Sequence, residues 1–329
     1  MIGKLKKYLG KINSIEDLSQ DLQVKMGRID EVTQNLQEKL VHIEKIVCAE
    51  VAEKKDTIHD VNIPISSIKT SEGIVYVGSS EDAAIFGAMQ NSLFSYSCYS
   101  IDFFFDLTDK YYGKRKTSRN GFFLDIGANI GTTSIYVKKK INKNLKVIAF
   151  EPSELNYKLL RCNCIINNFD DIKCENFGLS NTETKKVFLY RKENSGGGGI
   201  IGRTVGEKLS DNEYIIFTKV LDVYLKDSSV SANDIDYIWL DVEGHEVEVL
   251  EGSVDTLQAK KIPLWSEFNA CTYIKQNKLN RYADVVKRTY KSFIDCRNAD
   301  IIHPIEEIVD FGIKMVEQEK QVSTDLFFC

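Results

Sequence analysis

Apolar residues recur every seven positions in the N-terminal part of the chain. One position of the repeat is occupied by Ile15, Leu22, Ile29, Leu36 and Ile43. A second position is occupied by Leu18, Val32 and Ile46 and is interrupted by Lys25 and Lys39. Heptads sustained in this way are typical of a coiled coil. We therefore predict a coiled-coil helix that joins copies of the chain into a homo-oligomer. The alternative is a helix packed along its own globular domain.

A short basic segment precedes the heptads. Its apolar residues share one helical face, and its lysines lie largely off that face; the apolar set is Ile2, Leu5, Leu9 and Ile12. Such a segment can lie on an anionic membrane surface or dock on a protein partner. The first predicted unit, residues 1–56, combines this segment with the coiled-coil helix.

A mixed stretch follows over residues 57–120, which we predict to be a cap or linker region. Residues 101–107 are rich in aromatic side chains, which favours either a stacking wall for a ligand or a helix packed on the core. Residues 114–116 together with Arg119 form a basic run. This run predicts either a phosphate contact or a solvated loop.

Strands alternate with helices over residues 121–329. Apolar runs predict seven strands, at residues 121–126, 145–150, 172–177, 235–240, 262–266, 293–296 and 325–329. This alternation is the sequence mark of an α/β domain with a parallel, Rossmann-like sheet. A run of glycines at 196–199 interrupts the pattern and predicts either a mobile lid or a surface turn.

A glycine turn follows the first of these strands. Asp125 lies near the end of the strand, and Gly127 and Gly131 let the backbone approach a ligand closely. Dinucleotides and S-adenosylmethionine both bind at such turns, where the next helix presents its amide groups. The dinucleotide fingerprint requires G-x-G-x-x-G, which this turn lacks. A carboxylate at Asp125 would also repel a pyrophosphate, so the pattern favours S-adenosylmethionine.

The second strand ends in Glu151. A carboxylate at the tip of this strand can accept hydrogen bonds from both hydroxyls of a ribose. Both candidate ligands carry a ribose, so Glu151 supports a nucleoside ligand without choosing between them.

Three motifs in this order resemble FkbM-type methyltransferases. They are DIGANIG at 125–131, FEP at 150–152, and DVEGHE at 241–246 followed by VLEG at 249–252. The resemblance extends over residues 122–267 and implies a seven-stranded class I methyltransferase sheet. It also implies an S-adenosylmethionine-dependent enzyme that O-methylates sugars and related natural products. The cofactor contacts that we expect on this basis are Asp125, Gly127, Asn129, Gly131, Glu151, Ser180 and Asp241.

Methyl transfer to a hydroxyl requires that the acceptor lose its proton, which a base or a metal can assist. His245 lies in the last motif and has a suitable intrinsic pKa. Asp241 and Glu243 could orient His245 or act as the base themselves. Alternatively, an oxygen-rich Mg²⁺ site could form from Asp241, Glu267 and Asn269. In a third interpretation these carboxylates only hold the loops together.

Composition narrows the range of partners. The chain has 43 Lys and Arg against 48 Asp and Glu, and a net charge of −5 argues against a nucleic-acid groove. The eight cysteines show no paired zinc spacing. We therefore interpret them as thiols in a reducing cytosol and not as a metal or redox site. No apolar run approaches the roughly 20 residues that span a membrane. We therefore predict a cytoplasmic O-methyltransferase that acts on a free, nucleotide-linked or polymeric sugar of a bacterial surface glycan. A nicotinamide-dependent enzyme and a non-catalytic assembly protein are the alternatives.

Overall fold

The computed structural model describes residues 64–113 and 120–329. The predicted coiled coil, the basic N-terminal segment and the basic run at 114–119 lie outside these residues. Within them, none of the helices is both long and apolar enough to cross a lipid bilayer.

The described chain begins with a hairpin and two helices: β1 (Ile65–Lys69), β2 (Val75–Ser79), α1 (Phe86–Ser92) and α2 (Cys98–Tyr112). The first part of the main sheet follows, with β3 (Phe122–Ile126), α3 (Thr132–Tyr136), β4 (Lys146–Phe150), α4 (Glu154–Ile166) and β5 (Lys173–Glu175). An inserted segment contains β6 (Gly178–Leu179), β7 (Thr184–Leu189), β8 (Gly199–Ile201) and β9 (Glu213–Lys219).

The second half of the main sheet completes the chain. It contains α5 (Leu221–Asp227), β10 (Ile235–Leu240), α6 (Glu246–Glu251), α7 (Val254–Ala259), β11 (Leu264–Phe268), α8 (Ala270–Lys275), α9 (Leu279–Val286), β12 (Ser292–Asp295), β13 (Ile302–Pro304), α10 (Ile308–Glu317) and β14 (Thr324–Phe328).

The main sheet has eight strands in the order β13-β12-β14-β11-β10-β3-β4-β5. Strands β11, β10, β3, β4 and β5 run parallel, and β14 lies antiparallel between β11 and β12. The prediction of an α/β fold is confirmed, but the predicted count of seven strands is wrong. The additional strand is β13, which pairs with β12 at the edge of the sheet and whose short sequence carries no apolar run.

Apolar side chains cover both faces of this sheet, as expected for strands buried on two sides. On one face, Trp239 and Trp265 stack with ring centroids 4.8 Å apart, and Phe104 of α2 meets both indoles edge-on. Phe104 and Phe105 are fully buried, so the aromatic stretch at 101–107 is core and not a ligand wall. Residues 64–113 therefore belong to the same compact unit as the sheet.

A separate four-stranded sheet, in the order β6-β9-β7-β8, is inserted between β5 and α5. Its strands β7 and β9 pair antiparallel over six residue pairs. The glycine run is separated from the end of β7 by the six residues 190–195, and its last residue, Gly199, is the first residue of β8.

Two asparagines attach the N-terminal hairpin to the main domain: Asn163 of α4 and Asn167, which follows α4 directly. The side chain of Asn163 accepts a hydrogen bond from the Val77 amide at 2.6 Å and donates to the Val77 carbonyl at 3.0 Å. Asn167 makes the same pair of hydrogen bonds with Val75, at 2.9 and 2.7 Å. The two amides thus satisfy the edge of β2 as a neighbouring strand would. Asn163 also donates to the Ile130 carbonyl at 2.8 Å, which connects the hairpin to the glycine turn.

Replacing Asn163 with alanine should destabilise the protein because three backbone groups lose their partner. We expect the free energy of unfolding to fall by about 2–4 kcal/mol. Lys158→Ala on the same helix removes only a surface ion pair with Glu154 and should cost less than about 0.5 kcal/mol. Urea denaturation of both variants tests this prediction, and equal losses would contradict it.

Candidate functional site

Three loops meet at the carboxyl end of the sheet. The Gly127 and Ala128 amides donate to the Phe150 carbonyl at 3.1 and 3.0 Å, and the Asp241 amide donates to the Ile126 carbonyl at 3.0 Å. The loops that follow β3, β4 and β10 are therefore joined by backbone hydrogen bonds. They form the floor of a cleft with a cavity volume of about 160 Å³.

Gly127 lies at the centre of this floor. Its φ is +91°, and a Cβ built at this position would overlap with the Asp241 carbonyl oxygen. Only glycine adopts this φ readily and has no Cβ to overlap with the carbonyl oxygen. The close approach of β3 to β10 therefore requires glycine at position 127. A ligand in the cleft would face bare backbone here.

Glu151 lines the cleft at the tip of β4, and its side chain is buried, with the residue 4 % exposed. The Asn129 and Ser153 amides each donate to one of its oxygens at 2.8 Å. The Asn156 side chain is a third hydrogen-bond partner of this carboxylate. Because a carboxylate has about four acceptor positions, at least one remains for a ligand. Burial raises the pKa of Glu151 to about 7, although both amides oppose this shift.

Asn129 and Gly131 have different roles in the glycine turn. Asn129 lines the cleft with a positive φ of 50°, and its side-chain oxygen accepts from the Ile130 amide at 2.6 Å. Gly131 lies outside the cleft lining, where a Cβ would come within 2.6 Å of Leu160. Gly131 therefore lets α3 begin close to α4 and does not itself face a ligand.

Asp125 does not line the cleft, in contrast to its predicted contact with the cofactor. The carboxyl group is fully buried and accepts a hydrogen bond from the Ser134 hydroxyl of α3 at 2.5 Å. Its Oδ1 has no hydrogen-bond partner, and burial raises its pKa to about 7. This hydrogen bond connects β3 to α3, the helix after the glycine turn. Asp125 therefore helps to position the turn from the buried side.

Ser180 also lies outside the cleft lining and is fully buried. Its hydroxyl is 3.0 Å from Nε2 of His245, while Nδ1 of His245 is 3.5 Å from Glu248. Burial, followed by the charges of Lys278, Lys186 and Arg281, lowers the pKa of His245 to about 3. His245 reaches the cleft, but both ring nitrogens have protein partners and the ring is a weak base.

Two carboxylates, Asp241 and Glu243, line the cleft and are exposed to solvent. Enclosure by the protein, and then repulsion from Glu243 and other acids, raises the pKa of Asp241 well above its usual value. Enclosure and the charge of Glu246 raise the pKa of Glu243 to about 7, against a smaller opposing effect of Arg191.

Glu246 holds the loop that carries these two carboxylates. It is fully buried, accepts from the Val242 and Gly244 amides at 3.1 Å each, and accepts from the Tyr273 hydroxyl at 2.5 Å. The loop needs this support because Glu243 has a positive φ of 56°. The sequence placed Glu246 in a motif but gave no indication of this internal role.

The predicted Mg²⁺ site from Asp241, Glu267 and Asn269 is not assembled. The side-chain oxygen of Asn269 accepts from the Thr272 amide at 3.2 Å, because it caps α8. Burial and neighbouring carboxylates raise the pKa of Glu267 to about 10, and neither Glu267 nor Asn269 lines the cleft. In residues 64–113 and 120–329, no group of three or more His, Cys, Asp or Glu is arranged to hold a metal ion.

The roof of the cleft is a segment that the sequence left undecided between a lid and a surface turn. Most of residues 194–200, here called the glycine strap, line the cleft. The Ser195 hydroxyl donates to Asp82 at 2.6 Å, and Asn156 donates to the Ser195 carbonyl at 3.2 Å. At Gly196 a Cβ would come within 2.6 Å of the terminal methyl group of Ile85, so the strap packs closely on this side chain. The strap is held across the cleft by these contacts.

Residues 125–285 match the family model of the methyltransferase FkbM domain. Over these residues the chain is similar to the FkbM methyltransferase domain. The chain is also 30% identical over 170 residues to methyltransferase sdnD of Sordaria araneosa, a match that spans 44% of this chain and 65% of that protein.

Two solved structures show weaker likeness to this chain. The methyltransferase FkbM of Methylobacillus flagellatus KT is 15% identical, with 67% of this chain and 46% of that chain covered and a TM-score of 0.38. The O-methyltransferase from Bacillus cereus in complex with SAH is 10% identical, with 70% and 80% covered and a TM-score of 0.38. At these TM-scores neither structure supports a conclusion about function.

Substituting Gly127 with alanine should destabilise the protein more than a matched substitution elsewhere. Gly73 has a similar φ of +75°, but a Cβ added to Gly73 would meet no atom within 4 Å. Gly73→Ala should therefore cost only the backbone strain of about 1–2 kcal/mol. Gly127→Ala adds a clash with Asp241 and should cost at least twice as much. Thermal or urea unfolding measures both, and equal costs would show that the loops can separate freely.

The stability of the ligand-free protein should depend on the protonation of Glu151. Since its pKa is raised from 4.5 to about 7, the folded state holds this proton more tightly than the unfolded chain. The resulting stabilisation is complete below pH 4.5 and is lost as the pH rises through 7. Over this window we expect the difference in unfolding free energy between wild type and Glu151→Gln to fall by about 3 kcal/mol. Urea unfolding at several pH values measures this difference, and a constant difference would contradict the prediction.

Proposed function

We propose that the cleft binds S-adenosylmethionine and that the protein transfers its methyl group to a sugar hydroxyl. The observation that carries this proposal is Glu151, a buried carboxylate with a free acceptor position beside the bare backbone of Gly127. The similarity to the FkbM domain supports the same interpretation. Sugar O-methylation in surface-glycan synthesis follows from the resemblance of the three motifs to FkbM-type enzymes.

The residues around the cleft fit this cofactor. Glu151 would accept hydrogen bonds from the ribose hydroxyls, and the absent side chain at Gly127 leaves room for close contact. Asp241, a carboxylate exposed in the cleft, suits a positively charged ligand. When bound, S-adenosylmethionine supplies a methyl group on a cationic sulfur.

The proton of the acceptor hydroxyl is best removed by Glu243 or Asp241. Both carboxylates are exposed in the cleft, whereas His245 is buried with Ser180 and Glu248 against its nitrogens. A base is most effective when its pKa lies near the working pH. The pKa of Glu243, about 7, meets this condition, and the pKa of His245, about 3, does not. Glu243 would take the proton while the hydroxyl oxygen bonds to the methyl carbon in place of sulfur, and the electron pair of the broken carbon–sulfur bond would stay on sulfur.

Calorimetric titration tests the cofactor assignment. We expect wild type to bind S-adenosylmethionine and S-adenosylhomocysteine with micromolar affinity and not to bind NAD. Glu151→Ala should weaken binding at least about tenfold, which corresponds to 1.4 kcal/mol. Glu175→Ala is the matched control, because Glu175 ends the neighbouring strand and bonds to Tyr224 outside the cleft. Folded wild type that binds neither sulfur ligand would overturn the proposal and favour an assembly role.

The rate of methyl transfer should rise with pH through about 7, because Glu243 accepts a proton only when ionised. Burial and the charge of Glu246 raise this midpoint, and Arg191 lowers it. Glu243→Gln should remove the rise and slow transfer by about 10²–10⁴-fold. His245→Gln should keep the rise. Single-turnover transfer of a tritiated methyl group to surface polysaccharide measures both, and a pH profile lost only in His245→Gln would reassign the base.

A further inference from the structure

The segment between α1 and α2 is held rigidly although it lies at the surface. Leu93 and Ser97 at its two ends both have a left-handed backbone, with φ of 59° and 58°. Ser95 in its middle is buried, and its amide and hydroxyl both donate to Glu72 at 3.2 Å. The Tyr76 hydroxyl also donates to the Ser95 hydroxyl at 3.3 Å. The conformation of this segment is therefore set before any ligand arrives.

This rigid segment and the first turn of α2 present aromatic rings to solvent. Phe94 and Tyr96 are each 39% exposed and Tyr99 is 71% exposed; we call these three residues the aromatic edge. The rings of Phe94 and Tyr99 have centroids 5.9 Å apart. Exposed rings add little to folding, because they remain in water. Their display on a preorganised segment beside a cleft is typical of a binding surface.

The aromatic edge is continuous with the cleft. Tyr96 and Ser97 line the cleft together with Asp241 and Glu243. Partial burial, and then the negative charges of Asp241 and Glu243, raise the pKa of Tyr96. The edge therefore leads to the proposed proton acceptor, Glu243.

The charge of the cleft restricts what can bind there. Among described residues, the lining includes the carboxylates of Glu151, Asp241 and Glu243 but neither lysine nor arginine. A phosphate group would be repelled by these carboxylates without a compensating cation. A purely apolar ligand would remove the carboxylates from water without giving them hydrogen bonds. A ring with an apolar face and several hydroxyls satisfies both the aromatic rings and the carboxylates.

We propose that the aromatic edge is the acceptor site and that it binds an uncharged carbohydrate of at least two rings. The first ring would stack on Tyr96 with its hydroxyls toward Asp241 and Glu243. The second would reach the paired rings of Phe94 and Tyr99. This inference rests on the proposed methyltransferase function, and it selects a polymeric or oligomeric acceptor over a nucleotide-linked sugar.

Saturation-transfer NMR on protein loaded with S-adenosylhomocysteine tests the acceptor site. The probes are the methyl pyranosides of glucose, mannose and galactose, their homodisaccharides, glucose 1-phosphate and UDP-glucose. We expect at least one disaccharide to bind about 3- to 10-fold more tightly than its monosaccharide, the equivalent of one additional stacked ring. Neither phosphorylated probe should compete with that disaccharide.

Single substitutions distinguish the contribution of Tyr96 to sugar binding from that of Tyr99. Tyr96→Ala should abolish binding of both sugar sizes, whereas Tyr99→Ala should remove only the advantage of the disaccharide. Phe217→Ala is the matched control, since Phe217 is 58% exposed on β9 and does not line the cleft. It should leave all sugar affinities unchanged.

Three results would overturn the acceptor assignment: preferred binding of a phosphorylated probe, wild-type affinities in Tyr96→Ala, or no binding of any pyranoside to the loaded protein. Calorimetry with S-adenosylhomocysteine on the same samples separates this failure from failure of the proposed function. A protein that binds this ligand but no sugar loses only the acceptor site. A protein that does not bind it loses the methyltransferase proposal itself.

Discussion

The contact on which the site depends is the approach of Gly127 to the Asp241 backbone. A side chain at Gly127 would occupy the position of the Asp241 carbonyl oxygen, so β3 and β10 can end side by side only with glycine there. The two loops are then joined by the hydrogen bond from Asp241 to Ile126, and the amides of Gly127 and Ala128 bond to Phe150. A single residue without a side chain thus brings the glycine turn, Glu151 and the carboxylates of the last motif into one cleft.

This convergence brings many acidic groups together. They have two different roles, which depend on whether the carboxyl group is buried or exposed in the cleft. Buried acids such as Asp125 and Glu246 support loops through hydrogen bonds and do not line the cleft. Asp241 and Glu243 remain exposed in the cleft. Enclosure and repulsion from Glu243 raise the pKa of Asp241 well above its usual value, and enclosure with the charge of Glu246 raises the pKa of Glu243 to about 7. In the proposed reaction, Glu151 serves the cofactor, and Glu243 with Tyr96 serves the acceptor.

The sequence was sufficient to predict that Gly127, Glu151 and Asp241 lie at the same edge of the sheet. Each follows an apolar run, and parallel strands bring their carboxyl ends to one edge. It could not predict the partners of Ser180, Asn269 and His245. Ser180 and His245 are 65 positions apart in the chain and meet only in the folded core. Asn269 had a side chain suited to a metal, but the start of α8 uses its oxygen as a cap. Tyr96 lies in no motif, and only the folded loop places it in the cleft wall. β13 was missed because three residues at a sheet edge need no apolar pattern.

Hydrogen–deuterium exchange with and without S-adenosylhomocysteine tests the central claim, that the floor and the glycine strap together form the cofactor site. We predict slower exchange when the ligand is bound in three segments, each of which contributes residues to the cleft: 127–133, 151–156 and 194–200. Helix α10 lies outside the cleft lining and should exchange at the same rate in both states. Binding of the ligand without protection of the glycine turn and the strap, or with protection centred on another part of the chain, would contradict this claim.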